Sequence, residues 1–176
     1  MKTGLETKAW KILTRPLKSK ISDETNAVLL LAALARAASA DTNVSVPELK
    51  KVQEIMKRET GLEVVSSDVY IASKSQLFEK APLEKSVYRW SKTMPPGRRQ
   101  RLAVEIAEVC KADGEFNDME AAYFTARAGS LRLTPSQLIS IAAQTGQQVA
   151  RFWGEKSSTA SVLRTDKRSD RKRVCF

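Results

Sequence analysis

The sequence predicts an all-α fold, a single compact bundle of about seven helices built from two helix–turn–helix repeats, with a basic arm and a basic tail at its ends. Apolar residues recur with the 3.6-residue period of amphipathic helices through almost every segment between residues 23 and 152. Strand-like alternation is confined to residues 63–65 and 131–133, which are too short to form a sheet. The sequence therefore predicts helices alone, within one domain over residues 22–155.

An internal repeat constrains the arrangement of these helices. Residues 35–48 (ARAASADTNVSVPE) align without a gap on residues 107–120 (AEVCKADGEFNDME). Asp41 aligns with Asp113, and Glu48 aligns with Glu120. A repeat of this kind indicates one supersecondary unit used twice, here two helices joined by an acidic turn. Because a third apolar segment follows each copy, we expect two halves of three helices related by a pseudo-two-fold axis.

The boundaries of the helices follow from their capping residues and breakers. Ser45 is placed to cap the second helix and Gly61 to end it. Residues 94–97 (MPPG) separate the two halves, and residues 134–137 (TPSQ) form a capping box that begins the last helix. The predicted helices cover about residues 23–40, 46–60, 67–80, 82–93, 98–112, 118–128 and 134–153.

The composition excludes most catalytic chemistry. The chain has no histidine, so imidazole-activated nucleophiles and the common zinc sites are excluded. No glycine-rich phosphate loop or cofactor motif is present either, and we expect a non-enzymatic protein with no certain cofactor. The two cysteines make no disulfide framework, and no apolar run approaches the length of a membrane span. These features predict a cytoplasmic protein, with Cys110 as a small core residue.

The positive charge is concentrated at the two ends of the chain. Residues 1–21 hold six basic residues against one acidic residue, and residues 156–176 hold seven against two. The residues between them carry equal numbers of basic and acidic side chains, although the whole chain has a net charge of +10. Such cationic ends attract anionic lipid or nucleic acid.

The N-terminal arm has two interpretations. As a helix it would carry Trp10, Leu13 and Leu17 near one face with lysines opposite, which is the pattern of a helix lying on an anionic membrane at the inner face. The alternative is an arm that packs its apolar residues onto the domain and leaves its lysines in water. Pro16 also disfavours one unbroken helix.

The C-terminal tail is predicted to be disordered from its Ser, Thr, Arg, Lys and Asp content. It is either solvated without a specific partner or a binder of anions. No aromatic residue is interleaved to stack bases, so a membrane surface is favoured over nucleic acid as its anionic partner. The basic residues that would contact phosphates are Lys167, Arg168, Arg171, Lys172 and Arg173.

The acidic turns also allow two interpretations. In the first they are only structural: Asn117 and Ser45 cap the following helices, and Glu120 and Glu48 close the two capping boxes. In the second their carboxylates bind a divalent cation weakly, because hard cations prefer oxygen ligands. The spacing is not that of an EF-hand loop. The candidate ligands are Asp41, Glu48, Asp113, Glu115, Asp118 and Glu120.

The repeated pattern of apolar helix, Ala-Asp-Gly-Glu-Phe-Asn-x-x-Glu and apolar helix resembles the TerB-like family over residues 24–150. That family includes tellurite-resistance proteins and the N-terminal domain of the co-chaperone DjlA. The resemblance implies a bacterial bundle of about seven helices, acting in stress responses as a binding or scaffold module for protein partners. It also implies that Asp41, Glu48, Asp113 and Glu120 bind metal. Thr42 and Asn43 depart from the pattern in the first copy.

Overall fold

The computed structural model describes residues 22–41, 43–74, 83–114 and 117–145, and within them it contains seven α-helices and no strand. The predicted all-α fold is therefore confirmed. The helices are α1 (Asp23–Ala37), α2 (Val46–Thr60), α3 (Ser66–Lys74), α4 (Leu83–Ser91), α5 (Pro96–Cys110), α6 (Asp118–Ser130) and α7 (Pro135–Thr145).

The ends of the helices differ from the predicted ends by a few residues. Helix α1 stops at Ala37, and the chain then turns through residues 38–41 instead of continuing the helix to residue 40. Helix α5 begins at Pro96, two residues earlier than expected, since Pro95 takes the extended N-cap conformation and proline suits the first helical position. The predicted ends of the third and seventh helices, at residues 75–80 and 146–153, lie outside the described residues.

Helices α1 and α5 occupy equivalent central places in the two halves. Helix α1 contacts α2 and α3, and α5 contacts α6 and α7. The two central helices also contact each other, and each packs against the second helix of the other half, α2 on α5 and α6 on α1. This exchange of contacts is the pattern expected from the pseudo-two-fold arrangement of the repeat.

The core lies between these central helices. Leu30 and Leu34 of α1 and Leu102 and Ile106 of α5 are fully buried, as the apolar periodicity predicts. Cys110 is also buried, which confirms its prediction as a core residue. Burial of side chains of this size contributes about 1.5–3 kcal/mol each to folding.

Helix α4 is held against the first half by a buried tryptophan. The Trp90 side chain is almost fully buried, and its Nε1 donates a hydrogen bond of 2.9 Å to Asn26 Oδ1 in α1. Helix α4 also packs on α6. The segment between the two repeats thereby bridges a helix of each half.

An ion-pair cluster joins α2 to α5. The Glu105 carboxylate is buried and accepts hydrogen bonds of 3.1 and 3.0 Å from Arg98 Nη1, while Arg101 Nε lies 3.4 Å from its Oε1. Arg101 also pairs with Glu59 of α2. The cluster thus ties the second helix of one half to the central helix of the other.

Candidate functional site

Both acidic turns end in the same capping geometry. In the first copy, Ser45 N donates to Glu48 Oε2 at 2.7 Å, and Glu48 N donates to Ser45 Oγ at 3.4 Å. In the second copy, Asn117 N donates to Glu120 Oε2 at 2.8 Å, and Glu120 N donates to Asn117 Oδ1 at 3.0 Å. The two predicted capping boxes are therefore confirmed, and the N-cap residues share an extended backbone conformation.

The two aspartates precede these boxes, at the ends of the central helices. Asp41 Oδ1 accepts a hydrogen bond of 3.2 Å from Asn43 N, which closes a local turn after α1. Asp113 is exposed after α5, and Gly114 follows it with a φ of 108°, a positive value that glycine adopts without strain. The aspartates thus lie at the rim, whereas the glutamates of the capping boxes are buried.

The fold brings the two acidic turns to the same end of the bundle, where carboxylates of both turns act on the pKa of Glu120. Burial is the largest cause, and the negative charges of Asp113, Glu48 and Asp41 add to it, so that this pKa reaches about 7 in spite of the hydrogen bond from Asn117. Burial also raises the pKa of Glu48, with added repulsion from Asp41 and Asp113. Four carboxylates separated by up to 79 positions along the chain therefore act on one another at one end of the bundle.

The Glu120 carboxylate has one oxygen without a partner. Its side chain is only 1% exposed, and Oε2 is used by the capping box. Oε1 is buried and has no hydrogen-bond partner among the described residues. A buried unpaired acceptor costs about 1–3 kcal/mol, so this oxygen is a place where a proton or a cation would be stabilising.

The thiol of Cys110, which interacts with these carboxylates, is unreactive. Burial raises the pKa of the Cys110 thiol well above its ordinary value, and the charges of Glu120 and Glu48 add to this effect. The thiolate is the nucleophilic and metal-binding form, so Cys110 is held in the unreactive state. The site therefore offers carboxylate oxygens and no activated sulfur.

The other predicted site residues are only partly placed. Asp118 is exposed in the first turn of α6, and Glu115 lies outside the described residues. The predicted membrane-binding and anion-binding residues of the arm and tail also lie outside them. Within the described residues, no three Asp, Glu or Cys side chains lie close enough together to hold a metal ion.

A second polar site was missed by the sequence reasoning. Arg127 of α6 is buried beside Glu84 of α4, at a recess between α1, α4 and α6. One signal could have found it: Arg127 follows the core residue Phe124 by three positions and precedes the core residue Ala128. An arginine on the buried face of a helix needs a partner, but periodicity alone does not name one.

The helix order, the duplicated capping boxes and the convergence of the acidic turns now agree with a family match. A model of the family described as Tellurite resistance protein TerB matches residues 27–143 of the chain. The chain belongs to the TerB family. The match extends from α1 into α7, so it includes both acidic turns of this TerB protein.

No match was found among curated proteins or among solved structures. TerB domains are in general non-enzymatic, which agrees with the expectation drawn from composition. None of the helices described for this TerB chain has both the length and the apolarity that crossing a membrane requires.

Proposed function

We propose that this TerB chain is a non-enzymatic binding module of a bacterial stress response, acting in the cytoplasm, which holds a divalent cation weakly at its acidic turns. The observation that carries the cation proposal is the buried, unpaired Glu120 Oε1, surrounded by the charges of three further carboxylates. A cation would supply the missing partner and relieve the repulsion at once.

The donor chemistry favours a hard cation such as magnesium or calcium. The available groups are carboxylate oxygens, and hard cations take oxygen ligands. We propose that a pair of carboxylates among Glu48, Glu120, Asp41 and Asp113 holds the ion together with water, with Glu115 and Asp118 as further candidates. When bound, the ion would neutralise charge and tie the two turns together, and we assign it no role in catalysis.

The spacing of the carboxylates supports weak rather than tight binding. No three of the described acidic side chains form a ready set of ligands. Magnesium retains several water ligands and is commonly held through one or two carboxylates, so a pair of them with water is sufficient. The proposed module therefore responds to millimolar changes in cation concentration and does not retain its ion permanently.

The cation proposal predicts saturable heat on titration of the chain with magnesium, calcium or manganese in a calorimeter. The double variant Asp113→Asn/Glu120→Gln should lose this heat, because it removes two of the four interacting charges. Glu54→Gln is the matched control, since Glu54 is an exposed carboxylate farther along α2 and pairs with Lys51. If the wild-type chain gives no heat with these ions or with zinc, the cation proposal is wrong.

A second candidate function is that of a peripheral membrane adaptor, and the charge distribution favours it. The body is neutral, whereas residues 1–21 and 156–176 each carry a large excess of basic side chains. A basic segment with an apolar stripe binds anionic membranes through both contributions, and a basic segment alone binds them weakly. The stripe of Trp10, Leu13 and Leu17 makes the arm the main determinant in this proposal, with the tail adding attraction.

Sedimentation with vesicles tests the adaptor function. We expect the chain to pellet with phosphatidylserine-containing vesicles and to stay in the supernatant with purely phosphatidylcholine vesicles. Deletion of residues 1–21 should abolish most of the pelleting, and deletion of residues 156–176 should weaken it and reduce its dependence on salt. A chain without its arm that pellets as well as the full chain would refute the role of the arm.

Binding to nucleic acid through the tail alone makes a different prediction. The affinity for nucleic acid should then depend steeply on salt, and truncation after Glu155 should remove this dependence.

A further inference from the structure

A recess outside the acidic turns contains a buried positive charge. It has a volume of about 230 Å³ and lies where the C-terminal end of α1 meets the first turn of α4 and one face of α6. Its wall includes two arginines, Arg36 of α1 and Arg127 of α6, together with Glu84 and Tyr123. A cavity needs a volume of about 10–15 Å³ to hold one water molecule, so the recess has room for a small ligand.

Arg127 is held in place from two sides. The residue is 5% exposed, and its Nη2 donates to Glu84 Oε1 across the recess. Its guanidinium also lies over the Tyr123 ring, 4.7 Å from the ring centroid. Stacking and the ion pair together restrict the orientation of the guanidinium, which makes its remaining donors preorganised.

Two nitrogens of this guanidinium have no partner. Arg127 Nε and Nη1 are buried and make no hydrogen bond with any described residue. Tyr123, another polar residue of the recess, is already engaged, since its Oη donates a hydrogen bond of 2.8 Å to the Ala33 carbonyl oxygen. Buried donors on a charged group are costly when left unpaired, so a ligand that accepts hydrogen bonds would be stabilised here.

Charged side chains line the recess. Arg36 and Arg127 each place a guanidinium group there, and Arg36 Nη1 donates a hydrogen bond of 2.8 Å to the Ser73 carbonyl oxygen. Glu84 is the carboxylate of the described lining: burial raises its pKa, but its own backbone N–H, Arg127 and Arg36 outweigh that effect and lower it overall.

We propose that this recess binds the oxyanion group of a small molecule, a carboxylate or a phosphate, with Arg127 Nε and Nη1 as donors and Arg36 as the second positive charge. Guanidinium groups match both planar carboxylates and phosphates in geometry and charge. A recessed arginine selects a small ligand over an extended surface, because a macromolecule would reach it only with a protruding group. Glu84 acts as the positioning residue, since it orients Arg127 through Nη2.

The proposal can be tested on the full chain with inorganic phosphate and with acetate as separate probes. Phosphate binding is followed by phosphorus NMR line width and acetate binding by saturation-transfer NMR, each at constant ionic strength up to about 10 mM probe. We expect saturable binding of at least one probe: saturation by phosphate identifies the phosphate class, and saturation by acetate identifies the carboxylate class. Arg127→Met and Arg36→Met should each weaken it by about tenfold or more, because each removes a charged group.

Matched variants keep this test decisive. Lys50→Gln removes a positive charge from the exposed side of α2, away from the recess, and should leave binding unchanged. The basic arm and tail are present in every variant, so they contribute equally to nonspecific binding. If circular dichroism shows that the Arg127→Met variant does not fold, the test uses the Arg36→Met variant, because Arg36 is only half-buried. Absence of saturation by both probes, or equal binding by the Arg36→Met and Lys50→Gln variants, would overturn the proposal.

Discussion

Replacing Glu120 by Gln is expected to make this TerB protein more stable at pH 8 while leaving its stability at pH 5 almost unchanged. The glutamine amide oxygen can still accept the hydrogen bond from Asn117 N, so the capping box is kept. What the variant loses is a negative charge that burial and three neighbouring carboxylates disfavour. The gain should therefore appear only where the wild-type side chain is ionised.

The sign follows from proton linkage. The pKa of Glu120 is about 7 in the folded protein and near the ordinary 4.5 in the unfolded chain. Its contribution to stability is therefore complete below pH 4.5 and is lost as the pH rises through 7. A shift of this size corresponds to an upper value of about 3 kcal/mol, and relaxation of the neighbouring carboxylates reduces the expected gain to about 1–3 kcal/mol.

Urea unfolding at several pH values between 5 and 8 measures this difference between the variant and the wild type. Asp118→Asn is the control, because it removes an exposed carboxylate from the same helical turn. A stability difference for Glu120→Gln that did not grow with pH would contradict the assigned pKa.

Addition of magnesium at pH 8 links this variant to the cation proposal. If that proposal holds, magnesium should reduce the difference in free energy of unfolding between the variant and the wild type, since the ion stabilises only the ionised wild type.

The second large effect is expected at the ion-pair cluster between α2 and α5. Glu105→Ala should lower the free energy of unfolding by about 3 kcal/mol, because it leaves two arginines without their buried partner and creates a cavity. Burial raises the pKa of Glu105 in spite of Arg98, which shows how far this carboxylate is removed from water. Arg98 still has Glu59 at 3.8 Å, and this second pair limits the loss.

Glu108→Ala is the matched control for this prediction, one turn farther along the same helix. Its side chain is 35% exposed and pairs with Arg58 at 3.6 Å, so its loss should be below about 1 kcal/mol. The two variants are compared by urea unfolding at neutral pH, with high salt as a second condition. Salt should reduce the effect of Glu108→Ala more than that of Glu105→Ala, because buried pairs are screened less. Equal losses would show that the Glu105 cluster does not stabilise the junction of the halves.

The parts of the fold that the sequence predicted well are those with a local or periodic cause. The caps at Ser45, Asn117 and Thr134 were predicted because a capping box joins residues only three positions apart, and the structure contains all three pairs of hydrogen bonds. The end of α2 at Gly61 was predicted from an equally local cause, because glycine tolerates the left-handed conformation that often follows a helix. Gly61 takes this conformation, with a φ of 71°.

The candidate site was only half predictable. The repeat identified which carboxylates correspond, Asp41 with Asp113 and Glu48 with Glu120. An alignment of two repeats does not give the distance between the aligned side chains in the folded protein. Only the packing of α1 on α5 shows that the two turns act on each other and that Glu120 keeps one buried oxygen unpaired. Whether these groups bind a cation stays a prediction for the calorimeter.

Taken alone, the sequence determined that this protein is helical, duplicated and neutral between two basic ends, because helical period, capping and charge are properties of neighbouring residues. The tertiary structure decided which charges became buried and paired. Arg127 meets Glu84 across 43 positions of sequence, and Arg101 meets Glu59 across 42. Contacts at such separations depend on how helices pack, and no periodicity in the chain encodes them.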